Sequence, residues 1–98
     1  MIIKSKKDAG KLTISIAGRL DASTAPELET TLKENYDGVT ELVFDLKKLE
    51  YTSSAGLRML LSAQKTMNKQ GTMKVIHAND TIREIFEVTG FADILTIE

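Results

Sequence analysis

The segment Phe44–Leu57, FDLKKLEYTSSAGL, decides the fold because it joins an apolar strand to an amphipathic helix through a short turn of hydroxyl-bearing residues. The turn places Ser54 at a helix start, where a serine oxygen can accept hydrogen bonds from free N–H groups. Ser53 is the rival candidate for this cap. The Ser54 hydroxyl is also reachable by a kinase, and a phosphate on it would lie beside the same N–H groups. The residue pattern leaves a helix cap and a regulatory switch both open.

The elements on either side of this turn have clear periodicities. Glu41–Leu46 is nearly continuous in apolar residues, which is typical of a strand buried in a parallel sheet and predicts the central strand. After Ser54 the period changes to that of a helix ending near Gly71. Its apolar side is formed by Leu57, Leu60, Leu61, Ala63 and Met67.

The N-terminal region predicts a hairpin and a helix. Ile2–Lys4 and Leu12–Ala17 are the strand candidates, separated by the break Asp8–Gly10. Lysines flank this hairpin, and we interpret them as keeping an edge strand solvated. Thr24 and Glu27 have the spacing of a capping box, which predicts a helix from there to about Tyr36.

The C-terminal region predicts a further strand at Met73–Ile76 and a third helix that is capped by Asn79 or Asp80 and stopped by Gly90. A last strand is expected at Ile94–Ile97. The order β-β-α-β-α-β-α-β predicts one α/β domain over residues 1–98. We expect a mixed sheet of four or five strands with helices mainly on one face.

Composition excludes several classes of function. The 98 residues contain no cysteine and one histidine, so we expect no metal site and no cofactor. Thirteen basic and fourteen acidic residues give a net charge of −1, which argues against nucleic-acid binding. No apolar run suits a membrane span or a signal peptide, and we therefore expect a cytoplasmic protein without a membrane partner.

The turn Tyr51–Leu57, entered from the strand Leu42–Leu46, resembles the signature of the STAS family, and specifically of bacterial anti-sigma factor antagonists. Gly18–Asp21, Gly71 and Thr89–Phe91 follow the family pattern in order, so the resemblance covers essentially the whole chain. It implies that Ser54 is the phosphorylated residue. Ser53 stands where the family usually has aspartate, and Ala55 replaces a second hydroxyl residue.

The resemblance implies a partner-switching regulator of transcription that is not an enzyme. The unmodified protein would bind an anti-sigma factor that is also a serine kinase, and a sigma factor would thereby be freed. Phosphorylation would release the protein from the anti-sigma factor, and a serine phosphatase would restore the unmodified form. We expect a monomer or a weak dimer. The expected partner-binding residues are Asp21, Ser23, Thr24, Thr52, Ser53, Ser54, Ala55, Gly56, Arg58 and Met59.

Three alternatives remain at this point. A STAS module can serve as a scaffold or accessory subunit without phosphorylation, and the replacement of aspartate by Ser53 is consistent with that. A hydrolase would use Ser54 as nucleophile, but Thr52 replaces the glycine of Gly-x-Ser-x-Gly and His77 has no acidic partner in the sequence pattern. Nucleotide binding is the third alternative, but the sequence contains no glycine-rich phosphate loop.

Overall fold

Strands and helices alternate along the chain after an initial hairpin, and the computed structural model describes all 98 residues. The elements are β1 (Ile2–Asp8), β2 (Lys11–Leu20), α1 (Ala25–Asn35), β3 (Glu41–Thr52), α2 (Ser54–Met67), β4 (Thr72–Ile76) and α3 (Asp80–Thr89), followed by a 3-10 helix (Phe91–Asp93). None of the helices is long and apolar enough to cross a membrane.

The four strands form one mixed sheet in the order β1-β2-β3-β4. β1 and β2 are antiparallel and form the predicted hairpin, with Asp8 opposite Lys11. β2 pairs with β3, and β3 with β4, in parallel. The carboxyl ends of β2 and β3 therefore meet at the same edge of the sheet, and the predicted α/β architecture is confirmed.

The hydrophobic core lies between one face of the sheet and the three helices. Leu12, Ile14 and Ile16 alternate along β2 and are fully buried in this core together with residues of each helix. The intervening residues of β2 are only partly buried. We call the second face of the sheet, which carries Lys4, Ser15, Ala17, Asp45 and Lys47, the open face.

Strand β3 is longer than its apolar pattern predicts, because it runs beyond Leu46 to Thr52. Its pairing with β2 shifts register twice. The first shift is between Ser15 and Ala17, where Asp45 and then Lys48 are the partners, and the second is between Gly18 and Arg19, where Leu49 and then Tyr51 are the partners. Such a bulge adds one residue and changes which face the following side chains occupy. Lys47 and Lys48 are consequently both exposed before the buried Leu49 resumes the core pattern.

The helix ends follow the sequence at α3 but not at α1. Asn79 caps α3 by accepting a hydrogen bond from the Ile82 N–H at 2.9 Å, and Gly90 ends the helix in the left-handed conformation, as predicted. At α1 the N-cap residue is Thr24, but its side chain makes no capping bond, so the predicted capping box with Glu27 is wrong. The Thr24 hydroxyl is engaged elsewhere.

The predicted C-terminal strand is also wrong as a full strand. Ile97 forms a single parallel bridge with Val75. Two hydrogen bonds hold this segment, from Val75 N–H to the Thr96 carbonyl at 2.8 Å and from Glu98 N–H to the Val75 carbonyl at 2.9 Å. The 3-10 helix (Phe91–Asp93) occupies residues just before this segment, and the segment that remains makes only one bridge to β4. The sheet therefore has four strands.

Candidate functional site

The turn between β3 and α2 is fixed by backbone hydrogen bonds. Ser53 is the N-cap residue of α2, in an extended conformation with φ −90° and ψ 178°. Its N–H donates to the Leu20 carbonyl at 2.9 Å, and its carbonyl accepts from the Leu57 N–H at 3.1 Å. The first bond ties the turn to the end of β2, and the second starts the helix.

Ser54 is the first residue of α2 and is exposed to solvent. The side chain of the N-cap residue, Ser53, makes no capping bond. A group attached to the Ser54 oxygen would therefore sit at the positive end of the helix dipole, on an open surface. The prediction that a serine side chain caps this helix is wrong for Ser53, the residue in the N-cap position.

The Ser53 hydroxyl oxygen is buried and has no hydrogen-bond partner. A buried polar group without a partner costs free energy relative to solvent. The sequence predicts the helix start and the hydroxyl residue at it. It does not predict that the Ser53 hydroxyl lacks a hydrogen bond, because this depends on the side-chain rotamer. We therefore expect the Ser53 hydroxyl to contribute little to the stability of the turn.

Thr52 and Gly56 pack tightly beneath the two serines. The Thr52 hydroxyl is buried and donates to the Ser53 carbonyl at 3.2 Å. A Cβ atom at Gly56 would overlap the Thr52 hydroxyl oxygen and come within 2.7 Å of Leu20 Cγ. Glycine is needed here because two chain segments approach closely, and this holds α2 in place relative to β2 and β3.

Asp21 organises the neighbouring loop after β2. One carboxylate oxygen accepts hydrogen bonds from the Ser23 hydroxyl at 2.7 Å, the Ser23 N–H at 3.0 Å and the Thr24 N–H at 3.2 Å. The Ser23 hydroxyl bond is the largest cause holding the pKa of Asp21 below its usual value, with smaller contributions from the other donors. Asp21 therefore acts as an ionised turn-forming residue, in agreement with its turn chemistry.

The hydroxyl of Thr24 completes this loop instead of capping α1. It donates to the Arg19 carbonyl at 3.1 Å and accepts from the Asp21 N–H at 2.9 Å. Because Leu20 is bonded to Ser53, the Asp21–Thr24 loop lies beside the Ser54 turn. The fold thus brings together two of the segments that the sequence analysis grouped.

The remaining predicted residues lie on the first two turns of α2. Arg58 is exposed and is one helical turn from Ser54, and it takes part in none of the three ion pairs of the chain. Ala55 and Met59 are half-buried and pack against the core. We call the region formed by residues 21–24, 52–56, Arg58 and Met59 the Ser54 surface, although Thr52 and Gly56 are buried beneath its exposed residues and can act on a partner only by supporting them.

Arg19 and Tyr51 form a neighbouring pair that the sequence did not suggest. The Arg19 guanidinium carbon lies 4.4 Å from the centre of the Tyr51 ring, within the range of a cation–π interaction. The two residues are register partners in β2 and β3, next to Leu20 and Thr52. Only the strand register, which no local pattern specifies, reveals this contact.

His77 does have an acidic partner, so the sequence expectation on this point is wrong. Its Nδ1 lies 2.9 Å from Asp45 Oδ1. Partial burial raises the pKa of Asp45, but the hydrogen bonds from His77 and the Lys47 N–H outweigh it and hold that pKa below its usual value. Asp45 is seven residues before Thr52 along β3, a separation of about 20 Å in a strand. The pair is therefore far from Ser54 and forms no triad with it.

The family model described as "Mlab, STAS domain" matches residues 3–96. The chain belongs to the STAS family. The resemblance seen at Tyr51–Leu57 is confirmed at this level. Over 99 residues this STAS domain is 33% identical to BtrV of Bordetella bronchiseptica, which is provisionally described as an anti-sigma factor antagonist; 99% of this chain and 85% of BtrV are covered.

Solved structures agree with the fold of this STAS domain. An anti-sigma factor antagonist from Mycobacterium paratuberculosis gives a TM-score of 0.88 at 25% identity, covering 98% of this chain and 83% of that one. The anti-sigma factor antagonist SpoIIAA in its unphosphorylated form gives 0.79 at 15% identity, covering 99% and 87%. The phosphorylated form of SpoIIAA, a Bacillus protein, gives 0.78 at 15% identity, covering 99% and 91%. The SpoIIAA likeness establishes the fold alone.

Proposed function

We propose that this STAS domain is an anti-sigma factor antagonist that works by partner switching. The unphosphorylated form binds an anti-sigma factor that is also a serine kinase, in the cytoplasm, and thereby frees a sigma factor. The observation that carries the proposal is the exposed Ser54 at the start of α2, on a turn whose backbone is fixed by its neighbours. Its hydroxyl is the substrate of the partner kinase, and the domain itself is not an enzyme.

Accessibility and rigidity both favour Ser54 as the modified residue. Ser53 is next to it in sequence, but its oxygen is buried and out of reach of a modifying protein. Ser23 is exposed, but its hydroxyl already donates to Asp21. Among the serines of the Ser54 surface, Ser54 therefore presents the most available hydroxyl to a kinase.

The fold tolerates a phosphate at this position, whereas a partner interface does not. A phosphate at a helix N-terminus is stabilised by about 0.3–1 kcal/mol through the helix dipole, and Arg58 adds a nearby cation. In a tightly packed interface, an unpaired dianion costs about 3–5 kcal/mol, which weakens binding more than about a hundredfold. The modification therefore changes which partner is bound while the domain stays folded. A serine phosphatase then restores the binding form.

A kinase assay with matched variants tests this proposal. The wild type, Ser54→Ala and Ser62→Ala are incubated with ATP and the cognate anti-sigma kinase, and intact mass reports phosphate addition. Ser62 is an exposed serine of the same helix and is the matched control. We expect one phosphate on the wild type and on Ser62→Ala, and none on Ser54→Ala. A phosphate that persists on Ser54→Ala would contradict the assignment of the site.

Binding of the same kinase tests the switch itself. Ser54→Asp should bind at least about tenfold more weakly than the wild type, because it places a charge in the interface, whereas Ser62→Asp should bind normally. Equal binding by Ser54→Asp and the wild type would favour a scaffold that does not switch. Circular dichroism should give the same folded spectrum for all variants.

A further inference from the structure

The open face of the sheet contains a cavity of about 330 Å³, remote from the helices. It is lined from three strands, by Ile2 and Lys4 of β1, Ser15 of β2, and Asp45, Lys47 and Lys48 of β3. Its volume lies at the lower end of the range for small-molecule sites. The cavity therefore has the size of a small ligand rather than of a protein segment.

The bulge in β3 creates the charge of this cavity. In a regular strand, consecutive side chains point to opposite faces, so one of two adjacent lysines would enter the core. The register shift opposite Ser15 and Ala17 instead leaves Lys47 and Lys48 both exposed and lining the cavity. Lys4 reaches the same cavity from β1. Three lysines thus line one depression.

None of these lysines belongs to a close ion pair of the chain, although the charge of Lys47 helps to lower the pKa of Asp45. The three ion pairs are Lys33–Glu29, Lys74–Glu98 and His77–Asp45. The one carboxylate of the cavity, Asp45, is already bonded to His77 at 2.9 Å and to the Lys47 N–H at 3.1 Å. The lining carries three positive charges and one negative charge, so it has a net charge of +2 and favours an anion.

We propose that this cavity binds a phosphate monoester with a small apolar body. The dianionic phosphate matches the net charge of the lining and is held by Lys4, Lys47 and Lys48. The Ser15 hydroxyl can donate a hydrogen bond to a phosphate oxygen. Ile2, which is 61% exposed at the rim, provides apolar surface for the organic group.

The site is independent of the proposed partner switch. It lies on the face opposite the helices, and none of its lining residues belongs to the Ser54 surface. The inference therefore stands or falls separately from phosphorylation of Ser54. A variant of the cavity should leave kinase binding unchanged.

Titration followed by two-dimensional NMR tests the inference, with phenyl phosphate as the probe and phenol and inorganic phosphate for comparison. We expect saturable amide shifts confined to β1, β2 and the Asp45–Lys48 segment with phenyl phosphate. Inorganic phosphate should bind the same amides more weakly, and phenol should not saturate. The double variant Lys47→Gln/Lys48→Gln should weaken phenyl phosphate binding by at least about tenfold, because two charge contacts are lost.

Two further variants make the result decisive. Lys4→Gln removes a charge from a different strand and should also weaken binding, whereas Lys69→Gln changes an exposed lysine outside the cavity and should not. Absence of saturation up to about 10 mM phenyl phosphate, the scale of negligible affinity, would overturn the inference. An equal loss in Lys69→Gln, or phenol binding as strong as that of phenyl phosphate, would overturn it as well.

Discussion

Gly56→Ala should destabilise this STAS domain even though alanine is the better helix former. Position 56 lies in the first turn of α2, where the exchange of glycine for alanine favours the helix by at most about 1 kcal/mol. The new methyl group would overlap the Thr52 hydroxyl oxygen and approach Leu20 Cγ and Cδ2 to 2.7 and 2.9 Å. Both neighbours are buried and cannot move into solvent.

The magnitude follows from these opposing effects. Overpacking a well-packed core costs about 1–3 kcal/mol, and contacts with two buried neighbours place Gly56→Ala at the upper end. After the helix gain is subtracted, we expect a net loss of about 2 kcal/mol in the free energy of unfolding. The total free energy of unfolding of a small domain is about 5–15 kcal/mol, so this loss is a substantial fraction of it. For a chain of this size we expect the melting temperature to fall by about 10 °C.

Urea unfolding followed by circular dichroism measures this loss, and a double-mutant cycle identifies its cause. Thr52→Ala removes one of the two obstacles, so Thr52→Ala/Gly56→Ala should lose at least about 0.5 kcal/mol less than the sum of the single variants. A Gly56→Ala protein as stable as the wild type would refute the steric argument. Strict additivity of the two changes would show that the methyl group does not meet Thr52.

Two further predictions concern the helix caps and the dependence of the unfolding free energy on pH below about 4. Ser53→Ala should leave the free energy of unfolding unchanged or raise it by up to about 1 kcal/mol, because the buried Ser53 hydroxyl has no hydrogen-bond partner. Asn79→Ala should lower the free energy of unfolding by about 1–2 kcal/mol, because the capping bond to the Ile82 N–H is lost. Equal losses for the two variants in urea unfolding would contradict both side-chain geometries. The lowered pKa of Asp45 contributes stability that is present above the unfolded value of about 4 and is lost as pH falls through the folded value. The unfolding free energy of Asp45→Asn should therefore fall less steeply than that of the wild type below about pH 4, and parallel pH profiles would contradict the His77–Asp45 bond.

Local sequence signals predicted those parts of the fold that local chemistry determines. The hairpin at Asp8–Gly10, the Asn79 cap and the Gly90 stop each depend on residues within a few positions, and the structure confirms them. The strand-to-helix junction at Ser54 is of the same kind, because a change of hydrophobic period and a hydroxyl-rich turn coincide there. The residue types of this turn also carried the resemblance to the STAS family.

The errors arise where tertiary contacts override a local preference. Thr24 has the residue type and spacing for a capping box, but its hydroxyl bonds to the Arg19 carbonyl and the Asp21 N–H instead. His77 and Asp45 are 32 positions apart, so only the register of β3 with β4 brings them together. The apolar pattern predicts that β3 ends at Leu46, because Lys47 and Lys48 follow. The strand continues to Thr52, because a bulge in its pairing with β2 leaves both lysines exposed.

Two register shifts in the pairing of β2 with β3 separate the two surfaces that we assign to binding. An uninterrupted β3 would carry its alternation from Phe44 through Thr52 without a phase change, and a lysine would then point into the core. The first shift, opposite Ser15 and Ala17, turns both lysines away from the helices and keeps Leu49 buried. The second shift, opposite Gly18 and Arg19, returns Thr52 to the buried side. The first shift therefore places the lysines around the cavity, and the second places Thr52 beneath the Ser54 turn. Deleting Lys48 would remove the extra residue of the first shift while Leu49 stays opposite Gly18 and Thr52 stays opposite Leu20. We therefore expect the deletion to weaken phenyl phosphate binding and to leave kinase binding unchanged, and loss of kinase binding would contradict this assignment.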